Sequence, residues 1–430
     1  MKAFDKFFLI VFLIIQVNFF DLVNTNDSFL SGITGYSQKK LLLVAIGLYV
    51  VLRLFSTDIK NTRQNNFSFY LLFLLASWGA VLIGTIVNFH QSIFSTFLAG
   101  YYFLIVILYY VYSKILTDWK DWQNFTKVTA IFSVIFSITK LVQSFIYVKF
   151  NILLLHLNSN LDQHTATSMR FVSHGFTRIP SVADFTFFGT LLILVCMITK
   201  KDVFSQKIEY GMVLVNVMCI FLVGQTRIYM VLSMVIIVLY LVKIAYEKFG
   251  LDFYYLMMVI LIIPIVYLAY KGIIKLFFSS GSRSVSLSIR LEAIDYFWNH
   301  LTLNKWFSMG FARDDLYSGL LHGKYIDNNL QIIQFNFDDV GMIGFIGRFG
   351  VLGIINVSLY AVVLVRAFVK SKMKYATTLI MVIVIGSWVS ISLYDPQRIF
   401  YLPILLAYLN FLAFAKDDQG SMNGEFSINE

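Results

Sequence analysis

The run Phe335-Asn-Phe-Asp-Asp-Val-Gly341-Met-Ile-Gly-Phe-Ile-Gly-Arg348-Phe-Gly-Val-Leu-Gly353 marks an abrupt change of solvent along the chain. Upstream lies the longest polar segment, residues 271–340; downstream, residues 341–369 are mostly apolar. An apolar stretch of that length suits a helix crossing a hydrocarbon layer ~30 Å thick. Glycines 341, 344, 347, 350 and 353 recur every three residues, so another helix or a lipid chain can approach that face closely. Arg348 sits seven residues into the apolar run, where a charge is costly and usually functional. Two readings of it stand side by side: a contact to substrate, or a packing-face charge paired with Asp338 or Asp339.

The rest of the chain repeats the apolar pattern. Of 430 residues 58% are hydrophobic and 43 are phenylalanine, more apolar surface than a soluble domain can hide. The sequence predicts an all-α polytopic membrane protein with about twelve spans: 7–23, 41–56, 67–87, 92–113, 126–147, 181–199, 208–224, 228–246, 253–270, 341–369, 375–393 and 399–415. The first follows Lys2 and Lys6 and lacks a small-residue cleavage site, so it reads as a retained span. Cys196 and Cys219 fall inside apolar runs and read as packing residues.

Charge distribution orients the spans. Lys60, Arg63, Lys114, Lys120, Lys200, Lys201, Lys207, Lys243, Lys248, Lys370, Lys372 and Lys374 collect in alternate connections, and the intervening ones at 88–91 and 394–398 are nearly free of lysine. The positive-inside rule then places both termini in the cytoplasm. It leaves a large outer loop, 271–340, between helices 9 and 10, and a smaller one, 148–180, between helices 5 and 6. With this arrangement the net charge of +10 does not point to nucleic acid, because the basic residues lie in short loops between spans.

Eight of the 11 arginines fall at outer positions: Arg170, Arg178, Arg227, Arg283, Arg290, Arg313, Arg348 and Arg398. All six histidines, His322 among them, do the same. Topology alone gives no reason to place arginine there. Its planar fork binds phosphate or carboxylate through two parallel bonds, where lysine offers a point charge. The outer face therefore reads as built for an anion.

Three patches resemble O-antigen polymerases and ligases. Ser288-Ile-Arg-Leu-Glu-Ala-Ile is followed, twenty residues after Arg290, by Gly310-Phe311. Asp327-Asn-Asn-Leu-Gln leads to Gly341-Met-Ile-Gly344. Arg178 precedes Gly189 by eleven positions, the Arg-x10-Gly pattern described for polymerases. The sequence departs from the family where Leu301 stands eleven after Arg290 and where Ser308 replaces the first glycine of a Gly-x-Gly turn. Asp327 stands where ligases often carry histidine.

The resemblance implies a polymerase in a bacterial inner membrane, acting at the periplasmic face in O-antigen or capsule biosynthesis. Its substrate would be an oligosaccharide repeat unit on undecaprenyl pyrophosphate, with membrane lipid around it and a chain-length regulator as a plausible partner protein. No cofactor or metal is implied. The alternatives are a ligase delivering the glycan to a core acceptor, or a polysaccharide transporter.

Such a transfer needs cations for the leaving pyrophosphate and a base for the acceptor hydroxyl. For the cations the sequence offers Arg290, Arg178, Arg227, Arg283 and Arg348. Arg290 is expected to begin a helix over Leu291–Leu301, whose N-terminus would favour an anion. Asp338, Asp339, Asp327, Glu292 and His322 are the candidate bases, and Asp338 and Asp339 equally suit ordinary helix capping. The outer aromatics Tyr296, Phe297, Trp298, Trp306, Tyr317 and Tyr325 suit either sugar stacking or a loop core.

Overall fold

The computed structural model describes residues 1–17, 37–54, 66–152, 172–173, 175–179, 182–249, 282–300, 306–326 and 332–414. The expected span at 253–270, Asp327 and the C-terminal tail lie outside them.

Helices occupy the apolar runs. They are α1 (Ala3–Val17), α2 (Ser37–Leu54), α3 (Ser68–Phe89), α4 (Ile93–Ile115) and α5 (Trp119–Phe150). After the hairpin β1 (Val172–Ser173) and β2 (Phe176–Thr177) come α6 (Val182–Ile198), α7 (Gln206–Gly224) and α8 (Arg227–Phe249). The polar segment contributes α9 (Ser282–His300), α10 (Asp314–His322) and a second hairpin, β3 (Tyr325–Ile326) with β4 (Ile332–Ile333). The chain finishes with α11 (Gly341–Lys370), α12 (Lys374–Val389) and α13 (Tyr401–Phe414).

Six of the described helices are long and apolar enough to cross a membrane: α3, α4, α5, α7, α8 and α11. Three shorter apolar ones, α6, α12 and α13, accompany them. The form is that of an all-α membrane protein. α6 and α13 are almost entirely enclosed by their neighbours, whereas α3, α8 and α11 turn apolar side chains outward. Outward-facing Ile83, Val87, Val362 and Val365 are unfavourable in water and compatible with lipid.

Polar contacts tie the helix ends into two sets. In one, the Met1 ammonium meets Asp121, Asp5 meets Arg53 and Tyr49, and Gln123 donates to the Asp202 carbonyl. In the other, Gln16 donates to the Gln397 carbonyl, Asp184 meets Arg398, and Gln91 binds the backbone of residues 311 and 313. This is the segregation that alternating helix directions require.

Between the ends the helices are joined by small polar side chains. Asn216 of α7 donates to Ser133 and accepts from Ser137, both on α5, at 3.0 and 2.8 Å. Gly189 of α6 lies against Ser133 with no room for a β-carbon. The glycine of the Arg-x10-Gly spacing therefore serves close helix packing at that contact.

Candidate functional site

The polar segment carries a small core of its own. Phe297 on α9 stacks on Phe337 at 4.4 Å between ring centres, and Ala293, Met309, Leu321 and Phe335 close around them. The outer aromatics thus divide. Phe297 is loop core, Tyr296 donates its hydroxyl to the Leu320 carbonyl, and Tyr317 donates to the Phe89 carbonyl. Partial burial raises the Tyr296 phenol above its usual range. Trp298 and Trp306 face outward, and Tyr325 is described in its backbone alone.

A turn at residues 306–313 docks this segment on the helices. Ser308 at φ 43° and Gly310 at φ 55° both adopt the left-handed region, which explains why glycine suits each of these places. The Ser308 hydroxyl is buried without a hydrogen-bond partner among the described residues. The N–H groups of Met309 and Gly310 donate to the carbonyls of Gly347 and Arg348 at 3.3 and 3.0 Å. Those carbonyls are accessible because α11 breaks at Gly350, whose φ of 60° and ψ of −138° interrupt the helical ladder. Beneath the turn, Phe311 donates its N–H to Thr85 at 3.0 Å.

The glycine face of α11 is used residue by residue. Gly341 lies on the Trp388 carbonyl, Gly344 on the Phe337 carbonyl and Gly347 on Phe297, leaving no free space for larger side chains. Close approach is therefore realised with α12, the preceding turn and α9. Within this face Arg348 directs Nη1 to the Tyr102 hydroxyl at 2.6 Å and lays its guanidinium over the Phe337 ring at 4.5 Å.

Arg290 is placed differently from expectation. α9 begins at Ser282, so Arg290 lies in the helix interior and the helix N-terminus contributes nothing to it. The sequence hides this because Ser282–Ser288 is rich in serine, a poor helix-interior residue, while tertiary packing on α11 sustains the helix. The Arg290 side chain is half-buried and makes no hydrogen bond or ion pair among the described residues. Arg283 belongs to the same helix, and its side chain lies outside the description.

Among the candidate bases, Glu292 and Asp339 are exposed. Asp338 is described in its backbone alone, within the 3-10 turn Phe337–Val340. His322 is half-buried and committed: Nδ1 meets the Phe335 carbonyl at 2.6 Å and Nε2 meets Asp314 at 2.8 Å. Arg313 forks onto Asp315, with Nε at 2.9 Å from Oδ1, and this exposed hydrogen bond holds the Asp315 carboxyl below the usual range.

The chain segments that carry Arg178 and Arg227 lie beside each other elsewhere at the same set of ends. Ile179 donates its N–H to the Val223 carbonyl at 3.0 Å, bringing the residue after Arg178 beside the end of α7. A π-turn over Ile220–Gly224 and left-handed Gln225 at φ 46° then redirect the chain into α8, which Arg227 opens. Both side chains are half-buried.

Next to them stands a charged cluster that sequence reading missed. Arg398 binds Asp184 through Nε at 3.0 Å and Asp395 through Nη1. Lys39, buried, points its ammonium at the Gln16 side-chain oxygen and the Gln397 carbonyl. Single charges at helix ends carry no spacing signal, and Asp184 and Arg398 are 214 positions apart. Among the described residues no three His, Cys, Asp or Glu side chains gather as a metal site would require.

Compared with known proteins, the chain matches no family model and no curated protein.

Proposed function

We propose that this protein is an oligosaccharide repeat-unit polymerase, a glycosyltransferase of twelve spans in a bacterial inner membrane. Both termini would be cytoplasmic and the arginine-bearing helix ends would face the periplasm. The observation that carries the reading is Arg290: a half-buried guanidinium without an ion pair among the described residues, on a helix packed against α11, which also carries Arg348. Arginine's planar fork binds phosphate through two parallel bonds, so a guanidinium in this position suits the donor's pyrophosphate.

In this reading the acceptor sugar hydroxyl attacks the anomeric carbon of the donor. A new glycosidic C–O bond forms as the bond to the lipid pyrophosphate breaks, and the bonding pair leaves with the pyrophosphate. Arg290 and Arg348, with Arg178, Arg227 and Arg283, neutralise the charge that grows on the leaving group. The hydroxyl proton passes to a carboxylate. Glu292 and Asp339 are the exposed carboxylates on the elements that carry Arg290 and Arg348, and they take that role here.

The test is Arg290→Ala beside Arg290→Lys in cells lacking the native copy, with membrane expression confirmed and surface polysaccharide resolved on a gel. The proposal expects single repeat units in place of a ladder for alanine, with lysine intermediate. A full ladder from both variants removes Arg290 from the site. Loss of every attached repeat in cells without the gene would instead point to a ligase.

A further inference from the structure

The buried cluster of Lys39, Asp184, Asp395 and Arg398 has no part in the proposed transfer, although burying four ionisable groups is costly unless each is paired and hydrogen-bonded. Its geometry joins elements distant in sequence. Asp184 lies in the first turn of α6, Lys39 in the first turn of α2, and Asp395 and Arg398 in the turn before α13. Asp184 is 7% exposed and Asp395 3%, so neither carboxylate has water to replace a lost partner. Tyr229, buried in the first turn of α8, lies close enough to Asp184 to feel its charge.

The elements held by this cluster are those that carry Arg178 and Arg227. Asp184 follows Ala183, and Gly224 rests on Ala183 so closely that an added β-carbon would lie 3.0 Å from its side chain. Gly224 follows Val223, whose carbonyl receives the Ile179 N–H next to Arg178. Three residues after Gly224 comes Arg227, and two further on is Tyr229, back near Asp184. The turn at 182–184 is thus enclosed by the two strands of chain that present the arginines. Asp184 is the point at which this assembly is fastened to Arg398.

We propose that Asp184 and Arg398 are positioning residues: their ion pair sets the placement of Arg178 and Arg227 and thereby the affinity of this end of the protein for a lipid pyrophosphate. This inference rests on the polymerase reading for its ligand. It assigns the pair to anion binding, with no contact to the reacting atoms. Lys39 and Asp395 complete the charge balance: two cations face two carboxylates, so removal of one member leaves the others uncompensated.

The probe is undecaprenyl pyrophosphate itself, titrated onto the purified full-length protein in nanodiscs, with melting temperature recorded for each variant. Asp184→Asn is expected to weaken binding about 10- to 100-fold, the range for losing one hydrogen bond to a charged group. Arg398→Gln is expected to weaken it more, because two buried carboxylates lose their partner. Combining the two substitutions restores part of the loss. Tyr229→Phe removes a single hydroxyl and shows a smaller loss in a protein that folds normally. In transfer assays the Asp184→Asn effect falls on kcat/KM for the donor and lowers kcat as well, because the displaced Arg178 and Arg227 act on charge that grows on the leaving group.

Wild-type binding retained by Asp184→Asn, Arg398→Gln and Tyr229→Phe would overturn the positioning role. So would a loss of binding that tracks melting temperature alone. A wild-type protein that ignores undecaprenyl pyrophosphate overturns the polymerase reading instead, and the two failures are distinguishable.

Discussion

Replacing Gln91 by leucine should release the polar segment from the helices while leaving the bundle intact. Gln91, 8% exposed in the α3–α4 connection, is the hinge pin of that docking. Its Nε2 donates to Thr96 at 2.7 Å and to the Phe311 carbonyl at 2.9 Å, and its Oε1 accepts the Arg313 N–H at 3.1 Å. Leucine fills nearly the same volume but makes none of these bonds. A net hydrogen bond contributes about 1 kcal/mol, and a buried group left unpaired costs about 1–3 kcal/mol. With two backbone groups and one hydroxyl affected, the docked state loses about 3 kcal/mol relative to the opened one. That is a factor of about 100 in the opening equilibrium. Amide hydrogen exchange on reconstituted protein reads it directly: exchange across 309–317 should accelerate about 100-fold while α6 and α13 keep their protection. Exchange at 309–317 within about threefold of wild type would refute the reasoning, because local opening would then not depend on these bonds.

Three further outcomes follow from the same geometry. Ser308→Gly should raise stability by about 1 kcal/mol, since glycine takes φ 43° without strain and removes the unpaired buried hydroxyl; thermal melting in detergent checks it. Gly350→Ala should cost about 1–3 kcal/mol and lower the melting temperature, because φ 60° with ψ −138° is essentially restricted to glycine. Asp315→Asn should leave stability and polymer length unchanged between neutral pH and mild acid. The exposed Arg313 pair depresses the carboxyl, so any stabilisation would be present above the ordinary carboxylate range and lost on acidification, but solvent screens it.

What the sequence disclosed was set by how local each signal is. Apolar runs announce helices because the bilayer demands length and composition and little else. The break at Gly224–Arg227 and the start at Gly341 carried the weakest boundary signals in the chain, and the structure marks them with the left-handed Gln225 and a φ of 57° at Gly341. The start of α9 was not legible, because serines at 282–288 lower helix propensity and packing against α11 overrides it. The glycine turn was readable at Gly310, and Ser308 was noticed as a departure from the pattern the chain resembles; its left-handed backbone gives the physical meaning of that departure.

The candidate site was half legible. Arginines sorted to one side of the helices are visible in a string of residues, and Arg290, Arg348, Arg178 and Arg227 were all identified that way. Their partners were not. Tyr102 is one tyrosine among 25, and Gln91, Lys39 and Asp184 gain their roles from contacts across hundreds of positions. His322, one of five candidate bases in sequence, meets the Phe335 carbonyl and Asp314 through its two ring nitrogens. Long-range pairing of isolated polar residues leaves no periodic trace, and this is where reading the chain alone stops.

The central claim is that this chain by itself joins lipid-linked repeat units. The direct measurement is to reconstitute the purified protein in liposomes with a lipid-pyrophosphate-linked oligosaccharide and analyse the lipid fraction by mass spectrometry. The account predicts lipid-linked products of two or more repeats together with one free undecaprenyl pyrophosphate for every bond formed, both lost in Arg290→Ala. Liposomes in which the substrate stays a single repeat, with no lipid pyrophosphate released, would contradict it.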